Sequence, residues 1–111
     1  MAALAEKLEA IQRKAGIKQR DIAQLLGSSE QTVSRWNQGK TAPQRSALEK
    51  LLTLEWIVNE LADLYAPDEA SLWLFSRHKL LGGASPAERI QEGRTEDVQA
   101  LIDQLKSGAY I

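Results

Sequence analysis

The sequence predicts an all-α protein, because apolar residues recur at helical spacing near both ends of the chain. Leu4, Leu8 and Ile11 lie at positions i, i+4 and i+7, on one face of a first helix. Four apolar residues repeat this pattern on a last helix: Val98, Leu101, Ile102 and Leu105. Between these helices, glycine, proline and serine stand where helices end and begin.

Residues 17–40 contain two short helices separated by a tight turn. The first covers about residues 18–26 and ends at Gly27, because glycine tolerates the left-handed conformation found just past a helix C-terminus. Ser29 is a suitable N-cap for the second helix, about residues 30–38. This spacing is typical of a helix-turn-helix, whose second helix enters the major groove of DNA.

The second of these helices has an apolar and a polar side. Val33 and Trp36 point to the core, although Trp36 taken alone could be a stacking residue. We predict that Gln31 and Arg35 contact bases, since glutamine pairs with adenine and arginine with guanine. The other predicted DNA contacts are Gln19 and Lys40, placed to bind phosphates, together with Glu30, Thr32, Ser34 and Gln38. Glu30 has an alternative role, which is to stabilise the helix N-terminus. Two short amphipathic helices also occur in proteins that never bind nucleic acid.

The charge is unevenly distributed along the 111 residues, although the net charge is only −1. Residues 1–50 hold 9 Lys and Arg against 5 Asp and Glu, a net +4, and residues 51–111 hold 5 against 10, a net −5. The basic part is the helix-turn-helix part. Local neutralisation of phosphates is sufficient for DNA binding that weakens with salt.

Several function classes are disfavoured. The chain has no cysteine and one histidine, His78, so it cannot assemble a cysteine-based zinc site or a histidine cluster. No glycine-rich phosphate loop is present, and we expect neither catalysis nor a cofactor nor a metal. No apolar run approaches the length of a membrane span. We therefore expect a cytoplasmic, non-enzymatic protein of about one domain.

Residues 44–65 predict one long helix, or two stacked helices. Leu48, Leu51 and Leu52 form one apolar stripe. A second set of residues forms another stripe, rotated by roughly 90° if the helix is continuous: Val58, Leu61, Ala62 and Tyr65. We expect the two ends of this segment to serve different cores.

The C-terminal part predicts three further helices. Pro67 starts the first, and Ser85-Pro86-Ala87-Glu88 fits a capping box at the start of the second. Gly93 ends that helix, Thr95 caps the last, and Gly108 stops it. Ala109, Tyr110 and Ile111 form an apolar tail, which either folds back on its own domain or is covered by a partner.

The helix-turn-helix segment resembles the Xre-type, phage-repressor-like family. The resemblance rests on Gln19, Ala23, Leu26-Gly27, Thr32-Val33-Ser34-Arg35-Trp36 and Gly39-Lys40. It covers roughly the first 50 residues. It implies a bundle of helices of which the third reads the major groove.

About residues 45–111 resemble the toxin-binding domain of the Xre/MbcA/ParS antitoxins. The landmarks are Trp73-Leu74, Leu81-Gly82-Gly83, Ser85-Pro86, Gly93, Val98, Leu101-Ile102 and Gly108-Ala109-Tyr110. This resemblance implies an antitoxin whose partner is a RES-domain toxin that consumes NAD. It also implies that the toxin meets the loop Arg77-His78-Lys79-Leu80 and the tail Ala109-Tyr110-Ile111.

Together these observations predict an Xre-like helix-turn-helix bundle joined by a long helix to a small C-terminal helical domain. We expect residues 1–44 to bind DNA, residues 45–65 to form a connecting helix shared by both cores, and residues 66–111 to bind the toxin or mediate dimerisation. The predicted function is an antitoxin that occludes its toxin and, as a homodimer, represses its own operon. The alternative is a stand-alone dimeric regulator whose C-terminal half only oligomerises.

Overall fold

The computed structural model describes residues 2–108, which form seven α-helices and no strand. The helices are α1 (Ala2–Ala15), α2 (Gln19–Leu26), α3 (Glu30–Asn37), α4 (Arg45–Ala62), α5 (Pro67–Phe75), α6 (Pro86–Gln91) and α7 (Thr95–Ser107). A short 3-10 turn, Lys79–Leu81, lies between α5 and α6. The predicted all-α class is confirmed.

The buried side chains form one continuous core that extends through both halves of the chain. The long helix α4 packs against α1 from the N-terminal half and against α5 and α7 from the C-terminal half. The halves also meet directly, because α1 packs on α5 and α2 packs on α6. The helix-turn-helix thus packs on the C-terminal half through the contact of α2 with α6.

The long helix α4 is a single helix of 18 residues, so the segment is not two stacked helices. Its buried residues lie on one stripe, at about 100° per residue: Leu51, Leu54, Ile57, Val58 and Leu61. The expectation that the stripe of Leu48, Leu51 and Leu52 serves a core of its own is wrong. Leu51 lies on the same buried face as the later residues of α4. Leu48 and Leu52 lie on a different face and remain 38% and 44% exposed. Ala62 is also exposed, and Tyr65 is only partly buried.

The start of α6 matches the predicted capping box. Ser85 Oγ accepts a hydrogen bond from the Glu88 amide at 3.1 Å, and the Glu88 carboxylate accepts one from the Ser85 amide at 2.8 Å. The predicted cap of α7 is wrong by one residue, because Thr95 is already helical and Arg94 occupies the cap position. Arg94 Nε lies 3.2 Å from a carboxylate oxygen of Asp97, in an ion pair between the cap position and the first turn of this helix.

The end of α1 lies directly against the start of α5. Gly16 has φ of +61°, in the left-handed region, and a Cβ at this position would lie 2.6 Å from the carbonyl oxygen of Pro67. Only glycine fits both the conformation and the contact. This close approach is one of the points at which the two halves are held together.

Candidate DNA-binding and partner-binding surfaces

The turn between α2 and α3 is closed by local hydrogen bonds. Gly27 has φ of +70°, and the amides of Gly27 and Ser28 donate to the carbonyls of Gln24 and Ala23 at 3.2 and 2.8 Å. Ser29 Oγ then accepts from the amide of Thr32 at 3.1 Å, as the sequence predicted for the N-cap. These bonds set the angle at which α3 leaves α2.

Two buried residues fix the rotation of α3 about its own axis. Val33 and Trp36 are 0% and 4% exposed, which confirms the prediction that Trp36 belongs to the core. With this side of the helix buried, Gln31, Arg35 and Gln38 are exposed. The residues that were predicted to face DNA thus share the outward side of α3.

Three further residues predicted to contact DNA have distinct local roles. Thr32 Oγ1 lies 2.8 Å from Ser29 Oγ, so its hydroxyl takes part in the cap. Ser34 Oγ accepts a hydrogen bond from Gln38 Nε2 at 3.3 Å, which orients the amide of Gln38 along the helix face. Glu30 is exposed at the first position of α3, where a carboxylate stabilises the helix N-terminus.

The two predicted phosphate contacts lie at the ends of the motif. Gln19 is the first residue of α2 and is half-buried. Lys40 is exposed, and its backbone amide donates to the carbonyl of Arg35 at 2.9 Å. Gly39, with φ of +76°, makes the turn that carries Lys40 back to the end of α3. Lys40 therefore lies close to the predicted base reader Arg35 in the fold as well as in sequence.

A cleft of about 430 Å³ runs beside α3, between the turn and the start of α4. Arg35 and Thr32 line it from α3, and Lys50 lines it from α4. The sequence reasoning did not single out Lys50, because it assigned the residue to a connecting helix. Because α4 packs on α2, the ammonium group of Lys50 lies next to the turn. It is 3.9 Å from the point where a Cβ on Gly27 would lie. One basic side chain from outside the motif thus lies beside the turn, which was not predicted.

The loop that was predicted to meet a partner is folded tightly on itself. The backbone amide of His78 donates to the carbonyl of Ala84, and its carbonyl accepts from the amides of Leu81 and Gly83, at 3.0 to 3.1 Å. The His78 ring lies 3.1 Å from the carbonyl oxygen of Trp73 and packs on the indole at 5.1 Å between centroids. His78 is therefore half-buried and holds the loop closed from inside.

The other predicted loop residues face outward. Arg77, Lys79 and Leu80 are exposed, and Leu80 keeps 56% of its surface accessible although it is apolar. Leu81, the next residue, is buried and anchors the loop. The predicted tail contacts Ala109, Tyr110 and Ile111 lie outside the described residues.

Arg89 anchors this loop from below and was missed by the sequence reasoning. Its Nη2 donates to the carbonyl of Leu81 at 2.7 Å, and its Nη1 lies 3.6 Å from the carboxylate of Asp97. The side chain is 16% exposed, so this guanidinium ties together the loop, α6 and α7. The sequence gives no signal that Arg89 is an anchor, because a charged residue on a short helix is usually solvated.

Two titrating groups are displaced from their ordinary behaviour by specific hydrogen bonds. The amide of Ser85 lowers the pKa of Glu88 below its usual value, since it stabilises the charged carboxylate. Hydrogen bonds to Glu60 and then to Asp63 raise the pKa of Lys106. Both groups hold helix ends or pairs of helices in place.

Two features are absent from the described part of the chain, namely a metal-ligand cluster and a membrane-spanning helix. Residues 2–108 contain no cluster of three His, Asp or Glu side chains placed to hold a metal ion. None of the described helices has the length and apolar character required to cross a membrane.

Comparison with known proteins shows similarity along the whole chain. A family model described as a helix-turn-helix domain matches residues 3–54. The mycobacterial cidal antitoxin MbcA of Mycobacterium tuberculosis is 29% identical over 108 residues, which cover 97% of this chain and 96% of that protein. A probable mycobacterial cidal antitoxin of the same organism is 30% identical over 96 residues, 86% of this chain and 82% of that one. The fold matches a chain in the crystal structure of the M. tuberculosis MbcT-MbcA toxin-antitoxin complex, with a TM-score of 0.86, 28% identity and 100% coverage of both chains.

Proposed function

Because the chain belongs to the MbcA family of antitoxins, we propose that it binds and occludes a cognate toxin and represses its own operon. The observation that carries this proposal is the similarity of the complete fold to a chain of a toxin-antitoxin complex. The exposed polar face of α3 supports the DNA-binding part. The family resemblance adds that the partner is a RES-domain toxin that consumes NAD.

The division of labour that we propose follows the charge of the chain. Residues 1–44 bind the operator through the outward face of α3, and residues 66–111 bind the toxin, while residues 45–65 connect the two. The N-terminal half is the basic one and faces phosphates. The acidic C-terminal half is repelled by DNA and is free to face protein. We further propose that the chain acts in the cytoplasm.

On the toxin side, we propose that the exposed loop residues Arg77, Lys79 and Leu80 form the contact. Leu80 is the central residue, since an exposed leucine next to the cations Arg77 and Lys79 offers apolar area beside polar groups. His78 and Arg89 support the loop from within. We further propose that the tail Ala109-Tyr110-Ile111 completes the contact.

The experiment that tests this function is co-expression of the tagged chain with the product of the neighbouring gene. We expect a co-purifying complex and rescue of growth from the toxin. Leu80→Asp is expected to weaken the complex at least about tenfold, as for a central interface residue. The matched control is Leu72→Asp, which changes a leucine that is 70% exposed on α5.

A chain that ends at Lys106 tests the tail separately. It is expected to lose neutralisation while operator binding is retained. If neutralisation persists, the tail has no part in occlusion and the inhibitory surface lies elsewhere. If the full chain gives neither a complex nor rescue, the antitoxin function is wrong, and the stand-alone regulator remains.

A further inference from the structure

The cleft of about 430 Å³ beside α3 follows this helix from one end to the other. Gly27 and Ser28 line it before the start of α3, and Thr41 lines it beyond the end. The first part of α4 lines the cleft as well, through Ser46 and Lys50, which are one helical turn apart. We call this space the α3 cleft.

The α3 cleft contains two cations, Arg35 and Lys50, and no aspartate or glutamate among the described residues that line it. The uncharged polar residues around the two cations are Ser28, Thr32, Thr41, Gln44 and Ser46. Cationic, hydroxyl and amide groups are the ones that bind phosphate oxygens in protein–DNA interfaces. Because no carboxylate competes for the two cations, the chemistry of the α3 cleft fits a phosphate group.

Lys50 differs from the other half-buried lysines in lacking a partner within residues 2–108. Lys7 binds the carboxylate of Glu55 at 3.0 Å, and Lys14 binds the side-chain oxygen of Asn59 at 2.9 Å. The Lys50 side chain is also half-buried, but its ammonium group makes no ion pair or hydrogen bond with any described residue. Since a partly desolvated cation is stabilised by an anion, Lys50 is available to one from outside the chain.

The α3 cleft lies at the side of the outward face of α3. At about 100° per residue, Thr32 lies about 60° around the helix from Arg35, on the side away from Gln38. A helix with its side chains is about 10–12 Å across, and the major groove of DNA is about 12 Å wide. When α3 lies in the groove, the strands that border the groove therefore pass directly beside this helix, where the α3 cleft opens.

We propose that the α3 cleft binds a phosphate group of the DNA strand that borders the bases read by α3, and that Lys50 is the cation that binds it. This contact comes from α4 and lies outside residues 1–44. Lys40 follows the end of α3, whereas Lys50 lies beside the turn before its start. The two lysines thus bind different phosphates and together fix the direction of α3 along the groove. The inference rests on the proposed binding of an operator.

Titration of labelled operator and random DNA at several salt concentrations tests the role of Lys50. Lys50→Met keeps the apolar stem and removes the charge, so it should weaken both DNAs about equally and lower the slope of log affinity against log salt by about 1. Lys50→Arg should restore the slope. Arg13→Met removes an exposed charge from α1 and should leave the slope unchanged. Lys50→Met combined with Lys40→Ala should lower the slope by about 2, because two phosphates are lost.

Ser46→Glu tests the α3 cleft while Lys50 is kept. The new carboxylate lies one turn before Lys50, where it neutralises the ammonium group and repels phosphate, and it also favours the N-terminal part of α4. We expect both DNAs to bind at least about tenfold more weakly with no loss of thermal stability. Thr53→Glu adds the same charge about 10 Å further along α4 and should have a much smaller effect.

The absence of cysteine from the sequence allows the bound strand to be mapped. An iron chelate attached to Ser46→Cys generates radicals that cut only the nearby sugar–phosphate backbone. We expect cuts confined to the strand that borders each half-site. The same chelate on Leu72→Cys, which is on α5, should give no localised cuts.

Inorganic phosphate distinguishes a free anion from a DNA strand as the source of the phosphate group. At constant ionic strength, added phosphate should change the thermal midpoints of the wild type and of Lys50→Met equally. A midpoint that rises only in the wild type would make the α3 cleft a site for a free anion and would overturn the inference.

The DNA titrations also separate this inference from the proposed function. A Lys50→Met chain that keeps the wild-type affinity and salt slope would overturn the inference alone. A wild type that binds neither DNA would refute both the inference and the proposed repression. A wild type that binds DNA through Lys50 but forms no complex with a toxin would refute the antitoxin function and leave this inference standing.

Discussion

Arg35 illustrates how single residues of the predicted DNA-binding face are positioned by residues on the opposite side of α3. Because Val33 and Trp36 are buried, the outward direction of Arg35 does not depend on its own contacts. The sequence predicted this orientation from helical periodicity alone, and the structure has the same one. Base reading by Arg35 itself stays a prediction.

Arg35→Ala is expected to reduce operator binding by about 1–3 kcal/mol, the usual contribution of one bidentate base contact, and to spare non-specific binding. Lys40→Ala should instead weaken operator and random DNA about equally and lower the slope of log affinity against log salt by about 1. Both are measured by titration of labelled DNA at several salt concentrations, with Arg13→Ala on α1 as the control. Equal loss on both DNAs for Arg35→Ala would contradict base reading.

Arg89 is the residue for which sequence reasoning failed most clearly. Its importance comes from three-dimensional contacts: the carbonyl of Leu81 is eight positions away, and Asp97 belongs to the next helix. No periodicity or motif records such contacts. Periodicity is informative about which face is buried, and it says nothing about which charged side chain turns inward.

Arg89→Met is expected to destabilise the fold by about 1–2 kcal/mol, because it removes a charged hydrogen-bond donor from a half-buried carbonyl. We also expect weaker toxin binding, since the loop that carries Leu80 loses its anchor. Thermal unfolding and pull-down with the toxin measure the two effects. Arg94→Met, which removes only a more exposed ion pair with Asp97, should change both much less.

At the scale of elements, the helix ends were more predictable than the helix faces. Gly27 and the capping box at Ser85 are local signals, which act through backbone conformation and bonds within one turn. The face of α4 was predicted wrongly, because Leu48 and Leu52 are apolar without being core. Which apolar residues a helix buries depends on where its neighbours dock, and one helix alone does not contain this information.

Gly16→Ala tests the contact between α1 and α5. The left-handed conformation alone should cost about 1 kcal/mol. The collision of the new Cβ with the carbonyl of Pro67 should add to this cost, since backbone on both sides must shift. Gly93→Ala is the matched control, because Gly93 has φ of +79° and nothing within 4 Å of the new Cβ. Similar unfolding free energies for the two variants would show that the contact relaxes freely.

The start of α6 gives a prediction about pH. The pKa of Glu88 is lowered in the folded chain, so its stabilising effect is present at neutral pH and is lost as pH falls through the acid range. Glu88→Gln keeps a hydrogen-bond acceptor but cannot titrate. Between pH 7 and pH 4 we therefore expect its thermal midpoint to fall less than that of the wild type. Thermal unfolding of both proteins at several pH values measures the difference, and equal slopes would contradict a stabilising role for the charged Glu88 carboxylate.

At the scale of the whole molecule, the sequence predicted two functional halves, and the structure shows that their helices share one core. The resemblance to antitoxins was confirmed by the comparisons. The direct packing of α1 on α5 and of α2 on α6 was not predictable, because pairing of distant helices leaves no local signal.

The shared core has a consequence for the lifetime of the protein in a cell. A protein with two independently folded domains can lose one domain to a protease and keep the other folded. Here a single cut in α4 divides the core itself, so the segments on both sides unfold together. Under the proposed function, cleavage would end operon repression and toxin neutralisation in the same event, so that one proteolytic step would both free the toxin and allow the operon to be transcribed again.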